Sequence, residues 1–103
     1  MNNSQTELLK AIHARIRTTV DMDDTVFGFI VDGEPYHILV SEGIVFLFAK
    51  AHPSPHVVIT MSSEVLNALM DGSVGATQAY LSRSIAVDGP LRVARRVEAL
   101  FAQ

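Results

Sequence analysis

A chain of 103 residues, 49% of them apolar and 18% charged, is long enough to bury one core and carries more apolar side chains than a solvated surface welcomes. The net charge of −3 argues against general nucleic-acid binding, and the lack of cysteine excludes a disulfide framework or a thiolate metal site. The apolar surplus has two physical outlets, a cavity lined for an apolar ligand or an oligomer interface.

Residues 1–5 are polar, without the basic and apolar stretches typical of a secretory leader. No run approaches the roughly 18 apolar residues that span a bilayer, and the last residues are no peroxisomal address, so the expected location is the cytoplasm. Residues 5–19 read as a helix, with Leu8 or Leu9, Ile12, Ile16 and Val20 at steps of four; Asp21-Met22-Asp23-Asp24 breaks it. Three strands follow as an antiparallel meander, 25–31, 36–41 and 44–49. Asp32-Gly33-Glu34-Pro35 and Glu42-Gly43 form the turns between them. The second strand alternates, with His37 and Ser41 on one face and Tyr36, Ile38 and Val40 on the other. The third, Ile44-Val45-Phe46-Leu47-Phe48-Ala49, has no polar residue on either face. It is therefore expected to be central and covered on both sides, or to meet a second subunit with one face.

Residues 50–55 form a loop with two prolines. His52 and His56 flank it, and those prolines forbid the helical geometry that an H-x3-H zinc pair needs. A strand over 56–60 leads into a helix over 62–71, with Ser62 as N-cap, Glu64 near the positive end of the dipole, and Leu66, Leu69 and Met70 on one face. Gly72 suits a left-handed C-cap. A short helix over 76–81, a strand over 85–87 and a last helix opened by Pro90 complete the chain. Leu91, Ala94, Val97, Leu100 and Phe101 make the last helix's apolar stripe. Arg92, Arg95 and Arg96 lie off it at i, i+3 and i+4, as a solvated cationic face or as a landing patch for an anionic headgroup. Charge is uneven: residues 21–42 hold six acids and no Lys or Arg, and four arginines lie from Arg83 onward. The chain reads either as scattered solvated charges or as a molecule with one acidic and one basic end.

The ordered set Asp32-Gly33, Val58-Ile59-Thr60, Ser63-Glu64-Val65-Leu66, Leu69-Met70-Asp71-Gly72, Ala79-Tyr80-Leu81, Ile85-Ala86-Val87-Asp88-Gly89 and Leu91-Arg92-Val93-Ala94 resembles the sterol carrier protein type 2 (SCP-2-like) domain family over residues 25–101. Arg83-Ser84 stand where members usually carry Gly-Lys, and the proline common in the preceding turn is absent from residues 74–77. What the resemblance implies is one α+β domain over 1–103. Its antiparallel or mixed sheet of about five strands would be covered on one side by helices and enclose an apolar tunnel. The implied activity is non-covalent binding of a sterol, fatty acid, acyl-CoA or similar lipid, for transfer or for presentation to an enzyme.

On that reading Leu66, Leu69 and Met70, then Tyr80 and Leu81, then Val97, Leu100 and Phe101 line the tunnel, and Phe46 and Phe48 form its floor. Taken one by one, the same residues read first as ordinary core, since lining and core residues are of one type. Arg92, Arg95 and Arg96 are the headgroup residues. A homodimer that closes the cavity and a transient membrane contact are the expected associations, with no cofactor and no metal. No nucleophile elbow, P-loop or carboxylate pair is present, so no residue is assigned to catalysis. The rival readings are a dimerising scaffold, or an accessory subunit of a lipid, isoprenoid or polyketide enzyme complex, and a minor enzyme that uses one of the histidines.

Overall fold

Five strands, β1 (Thr25–Val31), β2 (Glu34–Ser41), β3 (Ile44–Phe48), β4 (Val57–Met61) and β5 (Ala86–Asp88), form one sheet in the order β3-β2-β1-β4-β5. The computed structural model describes residues 3–101, with side chains from Thr6. Pairing is antiparallel except between β1 and β4, so the sheet is mixed. Two-residue hairpins join β1 to β2 and β2 to β3. Asp32 and Gly33 (φ 51° and 81°), like Glu42 and Gly43 (φ 52° and 79°), hold the paired positive φ that matches the twist of the flanking strands. Glu42 is an unusual residue for this conformation, and its N–H is held by Asp24 Oδ1 at 2.8 Å.

Strand alternation decides the core. Phe27, Phe29 and Val31, Tyr36, Ile38 and Val40, and Val57, Ile59 and Met61 all face the helices and are buried. Four helices cover that face: α1 (Asn3–Arg15), α2 (Ser63–Met70), α3 (Ala76–Leu81) and α4 (Leu91–Ala94), the last continued by a 3₁₀ stretch, Arg95–Leu100. In α2 the Ser62 hydroxyl accepts from the Val65 N–H at 3.2 Å, and Leu66, Leu69 and Met70 are buried, as the sequence predicts.

Three differences from expectation have physical causes. The first helix stops at Arg15, short of residue 19: the β-branched run Thr18-Thr19-Val20 favours extended backbone and lies along β3 instead, with Val45 N–H to Thr18 O and Val20 N–H to Gly43 O. β3 is an edge strand, which overturns the expectation of a central one. The backbone of 18–20 covers part of its outer edge, while Ile44, Phe46 and Phe48 remain exposed on the face away from the helices. The last helix tightens into 3₁₀ geometry, in which side chains at i and i+3 eclipse. Ala94, Val97 and Leu100 stand at steps of three and are all buried, so the tighter winding keeps one straight stripe on the core.

Candidate functional site

The fold offers an apolar groove of about 270 Å³ between α3, β5 and α4. Ala76 and Ala79, both buried, let α3 lie close on the 3₁₀ stretch Arg95–Leu100, and the end of that short helix is left exposed. Tyr80 is thereby 39% and Leu81 74% exposed, with Leu91 of α4 opposite them at 43%. Ile85 and Val87 complete the apolar wall. Arg92 and Arg95, three residues apart where α4 passes into 3₁₀, stand on the rim. No carboxylate shares that lining, so the groove couples a greasy floor to a cationic lip. A site of this composition suits an apolar body carrying an anionic or strongly polar end.

Between the helices and the sheet the packing is tight. A cavity of about 10 Å³, bordered by Ile12, Phe29, Tyr36, Ile38, Leu66 and Phe101, leaves space for about one water where the resemblance implies a tunnel. Leu66, Leu69, Met70, Val97, Leu100 and Phe101 are gathered into this filled core. Tyr80 and Leu81 are brought instead to the groove with Arg92 and Arg95. Arg96 is separated from them and borders a surface hollow with Asp21 and Asp23. Phe46 and Phe48 meet none of these residues, because alternation along β3 sends Val45 and Leu47 toward the helices and the two rings to the far face. The groove's remaining walls, Ile85, Val87 and Leu91, were missed by sequence reasoning. For Leu91 a signal existed, since the charged Arg92 and Arg95 around it indicate the rim of the last helix rather than its buried stripe.

Three of the four histidines, His37, His52 and His56, are occupied in the architecture. The loop joining β3 to β4 passes over the far face of the sheet. His37, buried in β2, places Nδ1 2.7 Å from Lys50 O as donor, stacks on Phe48 at 4.6 Å and meets His52 edge-on at 5.1 Å. His56 Nδ1 accepts the Val26 N–H at 3.0 Å and His52 Nδ1 accepts the Ser54 N–H at 2.9 Å, so neither nitrogen carries a proton in this arrangement.

The sequence pattern of the SCP-2 sterol transfer family matches residues 2–102. The chain belongs to the SCP-2 sterol transfer family. Its fold is shared by palmitated SCP2L2 from Aedes aegypti (15% identity, 95% of this chain and 92% of that one, TM-score 0.62). Sterol carrier protein 2 from Yarrowia lipolytica in its apo form is similar too, at 16% identity, 96% and 73% coverage and TM-score 0.57. The same fold recurs inside a larger chain, the inverting sec-alkylsulfatase Pisa1 from Pseudomonas sp., at 11% identity and TM-score 0.70. That match takes in 78% of this chain and spans 13% of the sulfatase. No curated protein matches the sequence. Among the described residues no helix is long and apolar enough to cross a membrane.

Proposed function

We propose that this SCP-2 domain binds a lipid-like ligand at the groove between α3, β5 and α4. Its chain would lie along Tyr80, Leu81, Ile85, Val87 and Leu91, and its polar end between Arg92 and Arg95. Family membership supports a lipid-binding or transfer domain, and the observation that carries the location is the groove of about 270 Å³ with its two-arginine rim. That volume lies just under the roughly 300 Å³ at which small-molecule sites begin. It suits a segment of acyl chain better than a whole sterol. Each methylene removed from water contributes about 0.8 kcal/mol, so six of them supply about 5 kcal/mol without any directed contact. A longer ligand is admitted only if Leu66, Leu69, Met70, Val97, Leu100 and Phe101 give way, which makes these core residues the walls of an opened site. Leu81 and the two arginines on one rim also suit transient contact with an anionic bilayer surface. The reading assigns no residue a chemical step.

The test is displacement of a fluorescent fatty-acid probe by dodecanoate, with melting temperature followed in parallel. Binding that is lost in Leu81→Asp and Leu91→Asp, both exposed positions whose substitution spares the core, supports the groove. If no acyl or sterol ligand displaces the probe or raises the melting temperature, the carrier reading fails. Self-association is the second reading, favoured by the bare outer face of β3.

A further inference from the structure

The face of the sheet turned away from the helices is not uniformly bare. Strand register sets its side chains in rows: Phe46, Leu39 and Val26; Phe48, His37, Gly28, Val58 and Asp88; then Pro35, Ile30, Thr60 and Ala86. The β3–β4 loop crosses the middle of these rows. It brings His52 against His37 and packs Pro55 over Gly28, where a Cβ would stand 3.3 Å from the Pro55 Cβ. Val26, Gly28 and His37 are accordingly buried. What the loop leaves uncovered on β3 is Ile44, Phe46 and Phe48, exposed by 47%, 42% and 36%. These three consecutive outward residues carry no charge. The strand's two ends carry opposite charges: Asp24 and Glu42, joined through the Glu42 N–H, beside Ile44, and Lys50 just beyond Phe48.

This pattern is complementary to itself. A two-fold axis crossing β3 at Phe46 and perpendicular to the strand lays a second β3 antiparallel on the first. Phe46 then meets its own copy, Ile44 meets the copy's Phe48, and each Lys50 meets the copy's Asp24 and Glu42. We propose that the outer face of β3 is the contact surface of a homodimer built in this way, an isologous interface with an apolar centre and two symmetry-related charged rims. A heterologous partner would have no reason to match opposite charges at equal distances from a central ring; a second copy does so by symmetry. The three side chains leave about 200–250 Å² of apolar area, taking a Phe side chain as about 200 Å². That is about a quarter to a third of the roughly 800 Å² per partner of a standard interface. The dimer is therefore reversible, and its population follows protein concentration. It lies on the sheet face opposite the helices, so it stands or falls independently of the groove and its ligand.

The experiment is sedimentation velocity of the full chain over a series from low-micromolar to millimolar concentration. The wild type is expected to move from 11.2 kDa toward twice that mass. Phe46→Asp, at an exposed position and checked for folding by circular dichroism, is expected to remain a monomer throughout. Lys50→Glu, which disturbs no packing, is expected to weaken the dimer about tenfold by placing like charges at both rims. The double exchange of Glu42→Lys with Lys50→Glu should recover most of that loss. A wild type that stays monomeric across the series overturns the proposal. So does Phe46→Asp associating like the wild type, or a double exchange no tighter than Lys50→Glu alone.

Discussion

Gly89 couples the stability of the sheet to the shape of the groove, and replacing it with alanine tests that coupling. Its φ is 126°, a region essentially closed to side chains, and an added Cβ would stand 2.9 Å from His56 O and 3.1 Å from Val57 Cα. Both neighbours are backbone, so relief requires β5 to move away from β4. β5 is only three residues long and carries Val87 into the groove wall. Gly33→Ala is the matched control: φ is 81° there, but an added Cβ would find nothing within 4 Å, leaving conformational strain alone. Strain at one such residue costs about 1–3 kcal/mol. We expect about 1 kcal/mol for Gly33→Ala and at least about 3 kcal/mol for Gly89→Ala, where displacement of β5 adds to the strain. At about 4–8 °C per kcal/mol for a domain of this size, Gly89→Ala should lower the melting temperature by about 12 °C or more. Thermal unfolding followed by circular dichroism measures both, with probe binding on the same samples. If the two variants melt within a few degrees of each other, the tight β4–β5 approach does not constrain the fold and the reasoning is refuted.

Two further outcomes follow from the site and its surroundings. The double variant Arg92→Gln, Arg95→Gln should weaken dodecanoate binding about tenfold, as expected for the loss of two exposed charge contacts, while changing dodecanol binding little; equal loss for both ligands would remove the headgroup role. The Asp71 carboxyl is held below its ordinary value of 3.8 by the Ser73 hydroxyl first, then by the Ser73 N–H at 2.8 Å, with Arg15 adding a smaller attraction. A depressed folded value means that this local stabilisation is complete above the unfolded value and is lost as pH falls through the folded one. Ser73→Ala should therefore raise the Asp71 value toward 3.8 in a carboxyl-carbon NMR titration, and an unchanged titration would dismiss the hydroxyl as the cause.

Local elements were legible because their signals are local. Glu42-Gly43 announces a two-residue hairpin, Ser62 caps α2, and Pro90 opens α4. The turn expected over 32–35 is tighter, two residues at Asp32-Gly33, and Glu34 and Pro35 pair with β1 at the start of β2. The second hairpin also fixes the register of β3 against β2. A two-residue turn at Glu42-Gly43 pairs Ser41 with Ile44, and hence Val40 with Val45 and Ile38 with Leu47. Since Tyr36, Ile38 and Val40 form the apolar face of β2, Phe46 and Phe48 must share the opposite face with His37 and Leu39. Their separation from Leu66 and Phe101 was thus written in the register. The edge position of β3 was not, because it depends on β4 pairing with β1 across a loop, a non-local choice that no stretch of sequence encodes alone. The filled core was equally hidden: Leu69 walls a tunnel or packs a centre with the same side chain, and only the closeness of the helices decides between them.

That closeness makes ligand admission a question of where the cover is weakest. Of the groove's walls, α3 has six residues and α4 four, and the chain then continues as the 3₁₀ stretch Arg95–Leu100, whose hydrogen bonds have poorer geometry than those of an α-helix. Short elements with strained bonding open at lower free energy than central strands, and β1, paired on both sides, is the natural reference. Val97 and Leu100 hang from this stretch into the core, so lifting it would expose core side chains beside the groove. Amides of residues 95–100 should therefore exchange with solvent faster than those of β1 in native-state hydrogen exchange. A bound acyl chain should slow them while leaving β1 unchanged. Equal protection of both segments, or a ligand that protects β1 and not 95–100, would mean that an acyl chain does not reach the interior by this route.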